Sequence, residues 1–425
     1  MSVILFVSLG LCFAIGMPIA FSLGVASLAT LLLGMKIPLT VLAQRMFTGA
    51  DSFPLMAIPF FMLAGELMES GGISRRLVDF AHSIVGFVYG GLAMVAVVAA
   101  MFFAGISGAA AADTAAVGSV SIPAMIRKGY ARGFAAAVQA SGGSIGVIIP
   151  PSIPMIIFGV VAGVSIGKMF MGGFVPGTLI GLALMAVSFF KAKRYNYPKD
   201  PFVGFRQIYR TFFGAVWALM MPVIILGGIL GGVFTPTEAA VIATLYAIII
   251  GFLIYHELRI KDLPRILARA AVSTSTVMLL IATANVFGWL LTAARIPQNV
   301  TAYMLTLTDS QAVLYTLILA ILLIVGTFME TSASIIILTP VFMPVIEQFG
   351  IDPVHFGVVM VVALAIGMLT PPLGICLFIA CNIARIPMSE ILKYINPFLV
   401  AMIGVLLLIT YVPGTVMFIP NLFAR

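Results

Sequence analysis

Asp113 and Glu330 stand in apolar sequence, each beside a run of small and hydroxyl-bearing residues. The first run is Ser107-Gly108 followed by four alanines, Asp113 and Thr114; the second is Thr331-Ser332-Ala333-Ser334. An ionisable group inside an apolar segment is costly and usually faces a cavity or a partner. Hydroxyls and freed main-chain carbonyls are hard oxygen donors of the kind that hold Na⁺ in transporters. The candidate cation ligands are therefore Ser107, Gly108, Ser144, Gly146, Ile149, Glu330, Thr331, Ser332, Gly367 and Thr370. Candidates for an anionic substrate are Asp113, Thr114, Ser152 and Ser334, together with Arg295, which follows an apolar run holding Asn285 and Trp289.

Each residue also has a plainer reading. Asp113 and Glu330 could cap helix N-termini, where the dipole favours a carboxylate. An isolated Ser or Thr often bonds only to its own backbone. Arg295 could meet a carboxylate bidentately or snorkel to an interface. His82, His256 and His355 share no motif, so a metal or catalytic centre is not indicated. Gly142-Gly143-Ser144-Ile145-Gly146 lacks the strand that precedes a phosphate-binding turn, and no Walker lysine is present. Cys12, Cys376 and Cys381 have no ligand-like spacing and read as packing residues.

These residues must be held by a break in a helix. In Ser141-Gly142-Gly143-Ser144-Ile145-Gly146-Val147-Ile148-Ile149-Pro150-Pro151-Ser152, two prolines each remove a backbone donor and push the preceding residue out of the α region. Irregular backbone at membrane depth persists only where protein buries it or where it lines a cavity. Gly367-Met368-Leu369-Thr370-Pro371-Pro372-Leu373-Gly374 repeats the pattern. At the same 221-residue offset, Gly105, Pro123, Gly129 and Gly146 meet Gly326, Pro344, Gly350 and Gly367. Charge sets the two copies in opposite orientations. The loop after Pro123 carries Arg127, Lys128 and Arg132, whereas its counterpart carries Glu347 and Asp352. Under the positive-inside rule, equivalent loops then lie on opposite faces, which is an inverted-topology repeat with a site near the midplane.

Composition supplies the setting. The 425 residues are 62% hydrophobic and 8% charged, against about 25% charged in a soluble domain. A helix needs ~20 apolar residues to span the hydrocarbon core, so the chain reads as an all-α polytopic membrane protein. Val3 to Met35 lacks a basic leader and reads as one uncleaved helix, kinked at Gly16 and Pro18. Glu69 to His82 reads as a charged loop. Thr235-Pro236-Thr237-Glu238 reads as a helix start with Glu238 closing a capping box. The net charge of +8 sits in short loops without interleaved aromatics, so it serves orientation in the lipid bilayer and not nucleic acid. Four segments are expected: 1–52 as an N-terminal arm, 53–190 as repeat 1, 191–271 as a cytoplasmic connector with a scaffold helix pair, and 272–425 as repeat 2.

Phe234-Thr235-Pro236-Thr237-Glu238-Ala239-Ala240, the Gly105 to Gly118 run, Gly142 to Ser152 and Gly367 to Gly374 together make the chain resemble the large membrane subunit of tripartite ATP-independent periplasmic (TRAP) transporters, over essentially its whole length. That resemblance implies an elevator-type secondary transporter of the inner membrane, built from inverted repeats that each hold a re-entrant helical hairpin and a Pro-broken helix. It implies Na⁺-coupled import of an organic acid anion of the sialic acid or C4-dicarboxylate class. Na⁺ is the coupling ion and no cofactor is implied. The implied partners are a small four-helix membrane subunit and a periplasmic substrate-binding protein. By position, Ser107 to Thr114 belong to the first hairpin tip and Glu330 to Ser334 to the second. The other readings are a stand-alone divalent-anion/Na⁺ symporter and an intramembrane enzyme, for which no paired nucleophile and base is visible.

Overall fold

The computed structural model describes residues 1–34 and 37–423, and every regular element among them is helical. Met35 and Lys36, where the first apolar run ends, lie outside the described residues. That run is not one kinked helix. It forms α1 (Ser2–Ala14) and α2 (Ile19–Gly34). Gly16 takes a φ of +76°, and α2 doubles back so that Gly34 returns beside Met1 and Ile4. At 13 residues α1 rises only about 20 Å, too short to cross the bilayer alone.

α3 (Thr40–Ala50) and α4 (Ala57–Ser70) follow, and Glu69 belongs to the last turn of α4. The expected charged loop is largely a helix, α5 (Ile73–Val85). It buries Ile73, Leu77, Phe80 and Ala81 on one side and turns Arg75 and Asp79 outward. Near its start Arg76 pairs with Glu257 at 2.6 Å, and near its end His82 meets Asp200 at 2.9 Å. An amphipathic helix anchored at both ends to loops of one face lies along that face.

α6 (Gly91–Ser107) and α7 (Ala110–Arg127) form the first hairpin, followed by the broken pair α8 (Arg132–Ser144) and α9 (Ile153–Ala162), then α10 (Ile166–Arg194). α11 (Phe205–Leu230) and α12 (Pro236–Ile249) make the middle pair. The capping box forms as read: Glu238 N donates to Thr235 Oγ1 at 3.3 Å, and Thr235 N donates to Glu238 Oε2 at 2.8 Å. α13 (Leu263–Ala293) and α14 (Ile296–Leu307) lead to the second hairpin, α15 (Gln311–Phe328) and α16 (Thr331–Gln348). The second broken pair is α17 (Pro353–Gly367) and α18 (Ile375–Ala384), and α19 (Met388–Tyr411) and α20 (Gly414–Leu422) close the chain. Eight helices among the described residues are long and apolar enough to cross a membrane, and six shorter apolar ones accompany them.

The repeat is visible in three dimensions. α7 and α16 start 221 residues apart, at Ala110 and Thr331, as do α8 and α17, at Arg132 and Pro353. The copies interlock: α18 packs on α7 and α8, while α9 packs on α16 and α17. Each copy thus lends the second half of its broken helix to the hairpin of the other, as a two-fold relation requires. Basic loops converge on one face, where Lys128 Nζ lies 2.6 Å from Asp200 and the Tyr130 ring stacks on Tyr197 at 4.3 Å.

Candidate functional site

Gly108 joins α6 to α7 with a φ of +66°, a left-handed turn that glycine adopts without steric cost. The Ser107 hydroxyl donates to Asp113 Oδ1 and accepts from Ala109 N at 3.2 Å. Asp113 lies in the first turn of α7, but its carboxylate takes no cap bond from the backbone, so the plain capping reading does not describe it. It is fully buried, and its Oδ2 has no partner among the described residues. Across the gap Ile153 N donates to the Gly108 carbonyl at 3.2 Å, which stitches the hairpin tip to the broken helix.

Two glycines of the break allow this approach. A Cβ at Gly146 would overlap Asp113 Oδ2, and one at Gly143 would overlap Thr114 Oγ1. The glycine-rich stretch is therefore where the hairpin tip presses on the end of α8. Ser144 donates to Ser141 O at 2.8 Å, and Thr114 donates to Ala110 O at 2.8 Å. Ser152 is the N-cap of α9: it accepts from Met155 N at 3.3 Å and donates to Val147 O at 2.6 Å. Ile149 is buried, and its side chain fills the space against Gly177. The Pro150–Pro151 and Pro371–Pro372 peptides are both cis.

The second copy reproduces the arrangement with different chemistry. Leu373 N donates to Thr327 O at 3.0 Å, again joining tip to break, and Gly326 and Gly367 meet backbone to backbone. Glu330 caps α16, accepting from Ser332 N at 2.8 Å, Ala333 N at 3.2 Å and the Ser332 hydroxyl at 3.0 Å. Here the capping reading holds. Ser334 donates to Glu330 O at 3.1 Å, and Thr370 donates to Gly367 O at 2.8 Å. Thr331 Oγ1 is buried without a partner among the described residues. Pro150 and Pro151 are buried, whereas Pro371 and Pro372 are exposed. The two breaks thus differ in access.

Arg295 makes no hydrogen bond or ion pair with either tip among the described residues. It sits in a left-handed turn with φ of +55° ahead of α14, exposed and without an ion pair. Sequence reasoning missed Gln139, whose Nε2 donates to Asp113 O at 3.4 Å while its Oε1 accepts from Ser121 at 2.8 Å. An uncharged amide inside an apolar helix was the available signal, because such groups are rarely buried without a partner. The cysteines are free and buried, as their spacing suggested.

The description "Tripartite ATP-independent periplasmic transporter, DctM component" matches residues 6–415. The chain is 46% identical over 98% of its length to the isethionate TRAP transporter permease protein DctMQ of Oleidesulfovibrio alaskensis, and it spans 66% of that longer relative. It is 41% identical to the 2,3-diketo-L-gulonate TRAP transporter large permease protein YiaN of Escherichia coli, with 95% of each chain covered. It is 40% identical to the sialic acid TRAP transporter large permease protein SiaM of Vibrio cholerae, covering 98% of this chain and 97% of that one. Among solved structures, the Alcanivorax borkumensis YdaH transporter superposes with a TM-score of 0.64 at 15% identity over 88% of each chain, which speaks to the fold alone. The relatives are permeases and not enzymes, and a multi-pass inner-membrane placement accords with the spans. With the matched breaks, the paired hairpins and this agreement over nearly its full length, the chain belongs to the DctM component family of tripartite ATP-independent periplasmic transporters.

Proposed function

We propose that this chain is the transport-path subunit of a Na⁺-coupled importer for a small organic acid anion, working by an elevator movement. The observation that carries the reading is the pair of unpartnered buried oxygens, Asp113 Oδ2 and Thr331 Oγ1, one at the tip of each hairpin. Buried polar atoms are rarely left unsatisfied, and such atoms point to ion binding or another functional role. Hard oxygens beside the main-chain carbonyls of the helix breaks suit a dehydrated Na⁺ in each copy. Ser107, Gly108 and Gly146 would complete the first site, and Gly367 and Thr370 the second. The relatives are named for isethionate, 2,3-diketo-L-gulonate, C4-dicarboxylates and sialic acid, which share only the chemistry of a small, strongly hydrated acid.

An elevator needs a seam that slides. No hydrogen bond or ion pair among the described residues joins α11 to α6, α9 or α10. Instead, an apolar cavity of about 710 Å³, lined by Phe170, Phe174, Pro222 and Leu226, lies along this seam. The tripartite description supports two partners, a small membrane subunit and a periplasmic binding protein that delivers the anion. Reconstituted with both, the chain should import isethionate, succinate or sialic acid, and uptake should stop when choline replaces Na⁺ or when the binding protein is omitted. Uptake indifferent to Na⁺ would sink the coupling. Uptake by this chain alone would favour the stand-alone symporter.

A further inference from the structure

A polar pocket away from the hairpin tips is unassigned. It has a volume of about 380 Å³ and opens between α3, α13, α9 and α16. α13 starts beside the basic loops and its 31 residues rise about 46 Å, so Trp289 and Thr292 near its end lie on the opposite, outer side. One wall, from α3 and α13, carries Arg45, Asn285 and Trp289. The facing wall is apolar and comes from both repeats, through Val160 on α9 and Ile336 on α16.

The chemistry of the polar wall is one-sided. The Arg45 guanidinium lies over the Trp289 ring, 5.1 Å from its centre. No carboxylate among the described residues is within ion-pair distance of Arg45. Arg45 and Asn285 are both exposed, so the pocket is open to its surroundings; the Asn285 amide makes no hydrogen bond to another described group, and its Cβ lies where a Cβ at Gly49 would come within 2.5 Å. The Thr292 hydroxyl is already spent on Gly288 O at 3.0 Å. Stacking on an indole leaves the edge N–H groups of a guanidinium free and fixes their plane. A planar fork of donors, an unpartnered amide and no competing acid complement a carboxylate or sulfonate.

We propose that Arg45 and Asn285 form an outer anion-docking site, which takes the acid group of the organic anion before it reaches the hairpin tips. The assignment rests on the importer reading above and adds to it a site on the scaffold wall.

Trp289 supplies a direct readout. The chain has two tryptophans, so Trp217→Phe leaves Trp289 as the only indole. In nanodiscs at constant ionic strength, titration with succinate or isethionate should change the Trp289 emission saturably, and chloride should not. Arg45→Ala should abolish the change, and Arg45→Lys, which keeps the charge but loses the planar fork, should weaken it at least tenfold. In the reconstituted importer Arg45→Ala should raise the half-saturating concentration at least tenfold with the maximal rate kept within twofold, the pattern of lost ground-state binding. No saturable change for any anion that the wild type imports would overturn the site. So would a loss of affinity for the unloaded binding protein in Arg45→Ala, which would make the occupant an acidic protein surface. Saturable binding without Na⁺-dependent uptake would keep the site and remove the importer reading instead.

Discussion

Asp113 has one carboxylate oxygen engaged by Ser107 and the other free in a fully buried position, with Gly146 pressed against it. Adding one methyl at Gly146 places a carbon where that oxygen stands, so Gly146→Ala should cut Na⁺-dependent uptake at least tenfold while membrane insertion stays normal. Overpacking of a tight contact is itself destabilising by about 1–3 kcal/mol; thermal unfolding of the purified variant separates the two effects. Asp113→Asn keeps the size and removes the charge. Its half-saturating Na⁺ concentration should rise at least tenfold in uptake assays, and an unchanged Na⁺ dependence would exclude Asp113 as a ligand. Ser152 is different, because both its hydrogen bonds go to the backbone. Ser152→Ala should cost about 1 kcal/mol of stability as a lost cap.

Among the elements, the clearest device is the clasp on the basic-loop face that ties the α7–α8 loop and α5 to the connector after α10. Lys128 donates a hydrogen bond to Asp200, His82 adds another, and together they hold the Asp200 carboxyl below the usual carboxylate range. A depressed carboxylate stabilises the fold above its unfolded value of about 3.9, and that contribution is lost as pH falls through the lower folded value. Hydrogen exchange over residues 127–132 and 195–204 should therefore stay slow at neutral pH and rise only in strong acid. Asp200→Asn should show the acid pattern at pH 7. Equal exchange in the variant and the parent would mean that the Tyr130–Tyr197 stack alone holds the loop.

At the scale of the whole molecule the question is whether the repeats move as a body past α11. A Cβ at Gly105 would lie 3.2 Å from the Pro222 Cβ, close to the spacing that a disulfide bridges. Oxidised Gly105→Cys/Pro222→Cys should therefore stop uptake, and reductant should restore it, while each single variant stays active in both conditions. A cross-linked protein that transports normally would show that hairpin 1 and α11 do not slide apart.

Much of this was legible from residues in order. Pro150-Pro151 and Pro371-Pro372 forbid a continuous helix wherever they occur, because a missing N–H and a steric clash are local facts. The fixed offset of Gly and Pro and the uneven Lys and Arg then specified two inverted copies, and Thr235 with Glu238 specified a cap. Local chemistry also explains the misses. The turn at Gly16 and the amphipathic α5 depend on what α2 and α5 pack against, and a short run of charges does not reveal that. Only the tertiary structure decided that Asp113 is unpartnered on one side while Glu330 is consumed by its own helix terminus. Only it brought Arg45 to Asn285 and Trp289. Helix breaks and charge asymmetry are written in neighbouring residues. Whether a buried oxygen has a partner depends on how the hairpin tip and the broken helix pack together, and the order of residues alone does not specify that.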